Sequence, residues 1–172
     1  MTDVAPRGPK WSLRVVGESV LLDAAGSPCD LSAKSKRFAV LLFLALPTPG
    51  RWIRRDVLLA TFWPELDSLR ARNALRSTLH QLRNTLGAEA IARQGDEEVS
   101  LDGAFVRVDL LDLLSALDAG DASSWVARPS LELVPGLHVS DAPPFHEWLD
   151  AQRQTLKAHV VSAAWKVADV AE

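Results

Sequence analysis

Residues 67–87, DSLRARNALRSTLHQLRNTLG, constrain the fold more than any other stretch of the chain. Ala71, Leu75, Leu79, Leu82 and Leu86 recur at spacings of three and four, so a helix gathers them on a single apolar stripe. Asp67 or Ser68 supplies an N-cap oxygen, and Gly87 suits a helix end. With Leu75 as origin, Asn73, Ser77, His80 and Asn84 point within about 40° of the opposite direction. Arg72, Arg76 and Arg83 line one shoulder, and Arg70 and Gln81 the other. Such a helix needs a core on its inner side and leaves an outer face able to bond phosphates and base edges.

The flanking segments read as a small domain built around this helix. Upstream, Ser32 or Ser35 can cap a helix whose apolar positions are Phe38, Leu41, Leu42, Ala45 and Leu46, with Pro47 and Pro49-Gly50 ending it. A short extended piece at 51–53 leads into RRDVLLATFW. Its apolar positions Val57, Leu58, Ala60, Thr61 and Phe62 predict a second, short helix stopped at Trp63-Pro64. Downstream, AIARQGDEEVSL holds two strand-like runs about a Gly95-Asp96 turn, a hairpin signal. Residues 11–31 alternate short apolar runs with Gly17, Ala25-Gly26-Ser27 and Pro28, which predicts successive antiparallel strands. The expected fold class is α+β: an N-terminal antiparallel sheet with a winged helix-turn-helix over 11–103, in the order helix, helix, long helix, hairpin.

Charge is segregated in a way that the net value of −3 conceals. Residues 34–93 carry eleven bases against four acids, a surplus of seven, whereas residues 95–172 carry five bases against fourteen acids, a deficit of nine. The first 33 residues, with three bases and four acids, complete the total. Positive charge concentrated in the middle third suits a polyanion, and the acidic remainder suits a different partner.

The composition changes from Val106. VDLLDLLSALDAGD predicts an acidic helix and a long helix follows over 144–172, so a boundary is expected near Gly103, with an all-α segment over 104–172. In the long helix Phe145, Leu149, Leu156, Val160, Ala163, Val167 and Val170 form one stripe, assigned to packing on the helix near 110–117. Ala158, Val161, Trp165 and Ala168 fall about 140 to 220° away from it. Val161 and Trp165 therefore form an expected partner surface, to be covered by a second copy of the protein in a homodimer through this helix, by RNA polymerase or by another regulator.

Enzymatic chemistry has little to rest on. The chain holds no Gly-rich phosphate loop, no paired-cysteine metal motif and no His-Glu-x-x-His, and Cys29 is its single thiol. His138, His146 and His159 are spaced too irregularly for a local metal site and read as surface histidines. Asp109, Asp112 and Asp118 lack the spacing and glycine of a calcium loop and read as a solvated helix face. No catalytic residue, metal or cofactor is expected. The longest apolar run, 38–46, is nine residues, far below the roughly 20 that span a bilayer. The start MTDVAPRGPK shows no apolar leader, so a cytoplasmic protein without membrane contact is expected.

The outer face of the 67–87 helix carries the residue types that duplex DNA requires. Arginine bonds guanine bidentately, Asn or Gln bonds adenine, and Ser or His bonds several groups. Asn73, Arg76, Ser77, His80 and Gln81 are accordingly assigned to base edges in the major groove. Lys34, Lys36, Arg37, Arg54, Arg55, Arg72 and Arg83 are assigned to phosphates.

Residues 34–87, KSKRFAVLLFLALPTPGRWIRRDVLLATFWPELDSLRARNALRSTLHQLRNTLG, resemble the OmpR-type winged helix as it occurs in antibiotic-regulatory (SARP-like) transcriptional activators. The likeness rests on the apolar helix ending Pro-x-Pro-Gly, the Leu-x-x-x-Phe-Trp-Pro closing the second helix, and the third helix. That helix opens Ala-Arg-Asn-x-Leu-Arg and ends Leu-Arg-x-x-Leu-Gly. VDLLDLLSALDAGD, LVPGL and FHEWLDAQRQTLKAHVV are similar to the opening of the bacterial transcriptional activator domain, an all-helical, tetratricopeptide-like module. The resemblance implies DNA binding by the third helix and action on transcription through contact with RNA polymerase. Two features depart from it: the hairpin tip reads Gly95-Asp96-Glu97-Glu98, acidic where a wing touching phosphate would carry Arg or Lys, and the helical segment reaches only Glu172, short of several helix pairs. The expected function is a sequence-specific DNA-binding transcriptional regulator. The alternative is a protein–protein interaction module whose winged helix no longer binds DNA, which the acidic tip favours and the basic window opposes.

Overall fold

The computed structural model describes residues 8–31, 35–121 and 123–170; Ser32, Lys34 and the side chain of Val170 lie outside the described residues. The fold is α+β, with two small sheets and helices packed on a shared core. Strands β1 (Trp11–Arg14) and β2 (Val20–Leu22) pair antiparallel, Leu13 opposite Leu21. Strand β6 (Val106–Val108) adds to the free edge of β1 in parallel, Trp11 opposite Val106. The N-terminal sheet is therefore mixed rather than purely antiparallel. A parallel pair needs a long crossover, and everything between β1 and β6 supplies it; short-range alternation carries no information about so distant a neighbour.

Between these strands lie the three helices and the hairpin. Helix α1 (Lys36–Ala45) begins at Ser35, whose hydroxyl accepts from the Phe38 N–H, and Phe38–Ala45 are all buried, so this helix is enclosed on every side. Strand β3 (Ile53–Arg54) runs directly into α2 (Arg55–Phe62), which buries Leu58, Thr61 and Phe62 while Val57, expected in its apolar set, stands 44% exposed. Helix α3 (Ser68–Leu86) starts with the Asp67 carboxylate accepting from the Arg70 N–H at 3.0 Å and ends at Gly87, whose φ of 112° is unfavourable for any residue with a Cβ. All five residues of the expected stripe are buried, joined by Thr78, against α1, α2 and β4. At about 1.5–3 kcal/mol for each fully buried leucine, this stripe sets the rotation of α3 and leaves its other face in solvent. Strands β4 (Ile91–Gln94) and β5 (Glu98–Leu101) form the hairpin, and β3 joins it in the order β3-β5-β4.

After β6 come α4 (Asp109–Asp118), a short α5 (Ser123–Val126) that periodicity did not foresee, and α6 (Pro143–Val170). Helix α6 packs on α4, as the stripe led us to expect, and also on α2. Its first turns carry aromatic side chains: the Phe145 ring lies 5.1 Å from Phe62 of α2, and the Trp148 ring lies 4.7 Å from Phe43 of α1. The apolar core thus runs unbroken across Gly103. Two readings of polar residues are corrected here. Asp109 is not on a solvated face: its side chain is 15% exposed, its oxygens accept from the N–H groups of Val15 (2.8 Å) and Val16 (3.4 Å), and Arg128 pairs with it at 3.2 Å. His146 is half-buried rather than superficial, stacked on His138 at 4.8 Å with its Nε2 against the Val139 backbone. Both depend on chain segments that meet only in the folded molecule. Among the described residues no helix is long and apolar enough to cross a membrane.

Candidate nucleic-acid interface

The capped, buried stripe of α3 turns five polar side chains outward. Asn73, Arg76, Ser77, His80 and Gln81 are all exposed, as is Asn84, whose amide lies 3.2 Å from the His80 ring nitrogen. A helix of 19 residues is about 28 Å long, so these groups cover its middle two turns. The base-edge set expected from the sequence therefore shares one accessible face, with Asn84 as a neighbour the assignment omitted.

The residues assigned to phosphates divide into two groups. Arg54, Arg55 and Arg72, joined by Arg76 from the base-edge set, line a single cleft of about 580 Å³ between the start of α2, the face of α3 and the hairpin tip. Arg72 and Arg76 are exposed and Arg55 is half-buried; among the described residues none of the three forms an ion pair. Arg54 does: its Nε and Nη2 donate to Asp56 at 3.1 and 2.6 Å. This bidentate bond holds the Asp56 carboxyl below the usual carboxylate range and raises the Arg54 guanidinium, with Asp56, Glu97 and Glu98 adding charge attraction.

Lys36 and Arg83 lie apart from this cleft and bond backbone carbonyls. The Lys36 ammonium donates to the Phe62 carbonyl at 2.8 Å and lies over the Trp63 ring, which places a cation at the C-terminus of α2. Arg83 is half-buried; its Nε donates to the Ile91 carbonyl at 3.1 Å and ties α3 to β4. Burial, followed by the nearby Arg93 and Arg55, lowers the Arg83 pKa from its ordinary value. Arg37 is half-buried at the start of α1, and Lys34 lies outside the described residues.

The hairpin tip is the feature that the helix-face assignment did not include. Asp96 and Glu97 line the same cleft as the arginines. The Arg55 N–H donates to the Glu97 carbonyl at 2.7 Å, and Arg54 stands opposite Glu98 in the β3–β5 register, so the tip is anchored to the start of α2. Periodicity finds the hairpin, but only the β3–β5 pairing brings its acids to the arginines.

The expected partner surface lies on α6. Val161 is 55% and Trp165 73% exposed, and an apolar groove of about 610 Å³ runs beside Val161 between α6 and the 131–133 segment. No protein-family model matches the chain, and no curated protein matches it either.

Proposed function

We propose that this chain is a sequence-specific DNA-binding transcriptional regulator without enzymatic activity, working in the cytoplasm on chromosomal DNA. In this reading α1, α2, α3 and the β4–β5 hairpin make up an OmpR-type winged helix-turn-helix within 11–103, and 104–172 opens a tetratricopeptide-like activator segment. The supporting observation is the single exposed face of α3, where Asn73, Arg76, Ser77, His80 and Gln81 stand together beside an arginine-lined cleft. An α-helix fits the roughly 12 Å width of the major groove, and Arg, Asn and Gln side chains bond base edges there in distinct patterns. Arg54, Arg55 and Arg72 would neutralise phosphates alongside it. Contact with RNA polymerase through the helical segment is the proposed output.

The test is affinity for duplex DNA as a function of salt. Three phosphate contacts give a slope of log affinity against log salt of roughly −3, and enrichment from a random pool should converge on one motif. Affinity that is flat in salt, with no motif enriched, would sink the reading. A second reading, an interaction module that acts through α6, is favoured by the exposed Trp165 and Val161 beside the apolar groove.

A further inference from the structure

The cleft of Arg54, Arg55, Arg72 and Arg76 is a positive site with one negative wall. Among the described residues only Arg54 of the four is satisfied by a carboxylate, and the Arg55 Nε is buried with no partner. The wall is not free to swing away. The bond from the Arg55 N–H to the Glu97 carbonyl and the pairing of Arg54 with Glu98 hold the tip beside the arginines, while the Asp96 and Glu97 side chains remain exposed. An anion entering the cleft therefore meets, on the α2–α3 side, guanidinium groups of which Arg54 already holds the Asp56 carboxylate, and on the hairpin side the carboxylates of Asp96 and Glu97, in the same position every time.

We infer that Asp96 and Glu97 are specificity-determining residues: a fixed acidic edge that disfavours every placement of a DNA backbone across the hairpin tip. The inference rests on the DNA-binding reading above and adds to it. A duplex docked through base contacts on α3, Arg76 among them, is held in one pose, with its phosphates on the Arg72 side. A random duplex samples many poses, including those that carry a phosphate past the tip. The acids penalise the second ensemble more than the first, so they lower general affinity and leave the base contacts a larger share of binding. Two carboxylates roughly 7 Å from a phosphate, at near-water dielectric, weaken binding about 5- to 10-fold at low salt. The effect should shrink as the screening length falls to about 8 Å at physiological ionic strength.

The experiment compares wild type with Asp96→Asn/Glu97→Gln on a random-sequence duplex and on a duplex enriched by the wild type, at low and physiological salt. These near-isosteric changes leave the backbone bonds of the tip in place, which circular dichroism and thermal unfolding check. Asp118→Asn/Asp169→Asn makes the same change in net charge at the ends of α4 and α6, away from the cleft. The expected result is that the tip variant binds random duplex about 5- to 10-fold tighter at low salt, gains less on the enriched duplex, and so loses specificity, while the control keeps its ratio. Equal gains on both duplexes, or the same gain in the control, would mean that only overall charge matters and would overturn the inference. Wild type that binds duplex with no change in the tip variant would overturn it while sparing the DNA reading. Wild type that binds no duplex would overturn both.

Discussion

The ring of Phe62, at the end of α2, lies 5.1 Å from the ring of Phe145, in the first turn of α6, and both side chains are fully buried. Phe43 and Trp148 extend the contact. These rings couple the basic segment to the acidic one. Phe145→Ala should cost about 3–5 kcal/mol, and because one core spans both segments the loss should appear in a single transition. Urea unfolding followed by circular dichroism and by tryptophan fluorescence checks this; two separated transitions in the variant would show that the segments unfold independently.

Asp109 and Asp112 sit on the same first turn of α4 and should differ in what they contribute. Asp109 accepts from two backbone N–H groups and from Arg128 in a half-buried site, whereas Asp112 meets Arg107 on the surface. Asp109→Ala should destabilise by about 2–3 kcal/mol because it strands those donors, and Asp112→Ala by under about 1 kcal/mol. Denaturant midpoints at constant m-value measure both, and equal losses would contradict the assignment.

Arg72 and Arg76 both border the cleft, yet Arg76 is turned closer to the outer face of α3. Arg76→Ala should lose about 1–3 kcal/mol on the enriched duplex with little change on random DNA, while Arg72→Ala weakens both alike. Competition binding with the two duplexes gives the result. Parallel losses for Arg76→Ala would assign it to phosphate alone.

Trp165 is 73% exposed on α6, an amount of apolar surface that favours a covering partner. Wild type should sediment as a concentration-dependent dimer at micromolar concentration and Trp165→Glu as a monomer. Two monomers would rule out the homodimer and direct the search to a foreign protein.

Much of the site was legible in the sequence because a helix converts spacing directly into direction. The interval from Ala71 to Leu86 at three and four residues determines which side of α3 is buried, and hence that Asn73, Arg76, Ser77, His80 and Gln81 share the opposite face. The caps at Ser35, Asp67 and Gly87 were equally local, since each bonds groups within four residues. The hairpin about Gly95 depended on the same kind of short-range information.

The destinations of the charged side chains were decided only in the folded chain. Lys36 and Arg83 carry the same charge as Arg72 and Arg76, but a carbonyl of α2 and a carbonyl of β4 come within reach of the first two, and those partners follow from packing rather than from spacing. Asp109 likewise became a half-buried acceptor because the Val15-Val16 segment that follows β1 and the segment around Arg128 converge on it. The parallel pairing of β1 with β6 and the contact of α6 with α2 join residues far apart in sequence. Periodicity records how a segment faces its surroundings, and the identity of those surroundings is a property of the whole core.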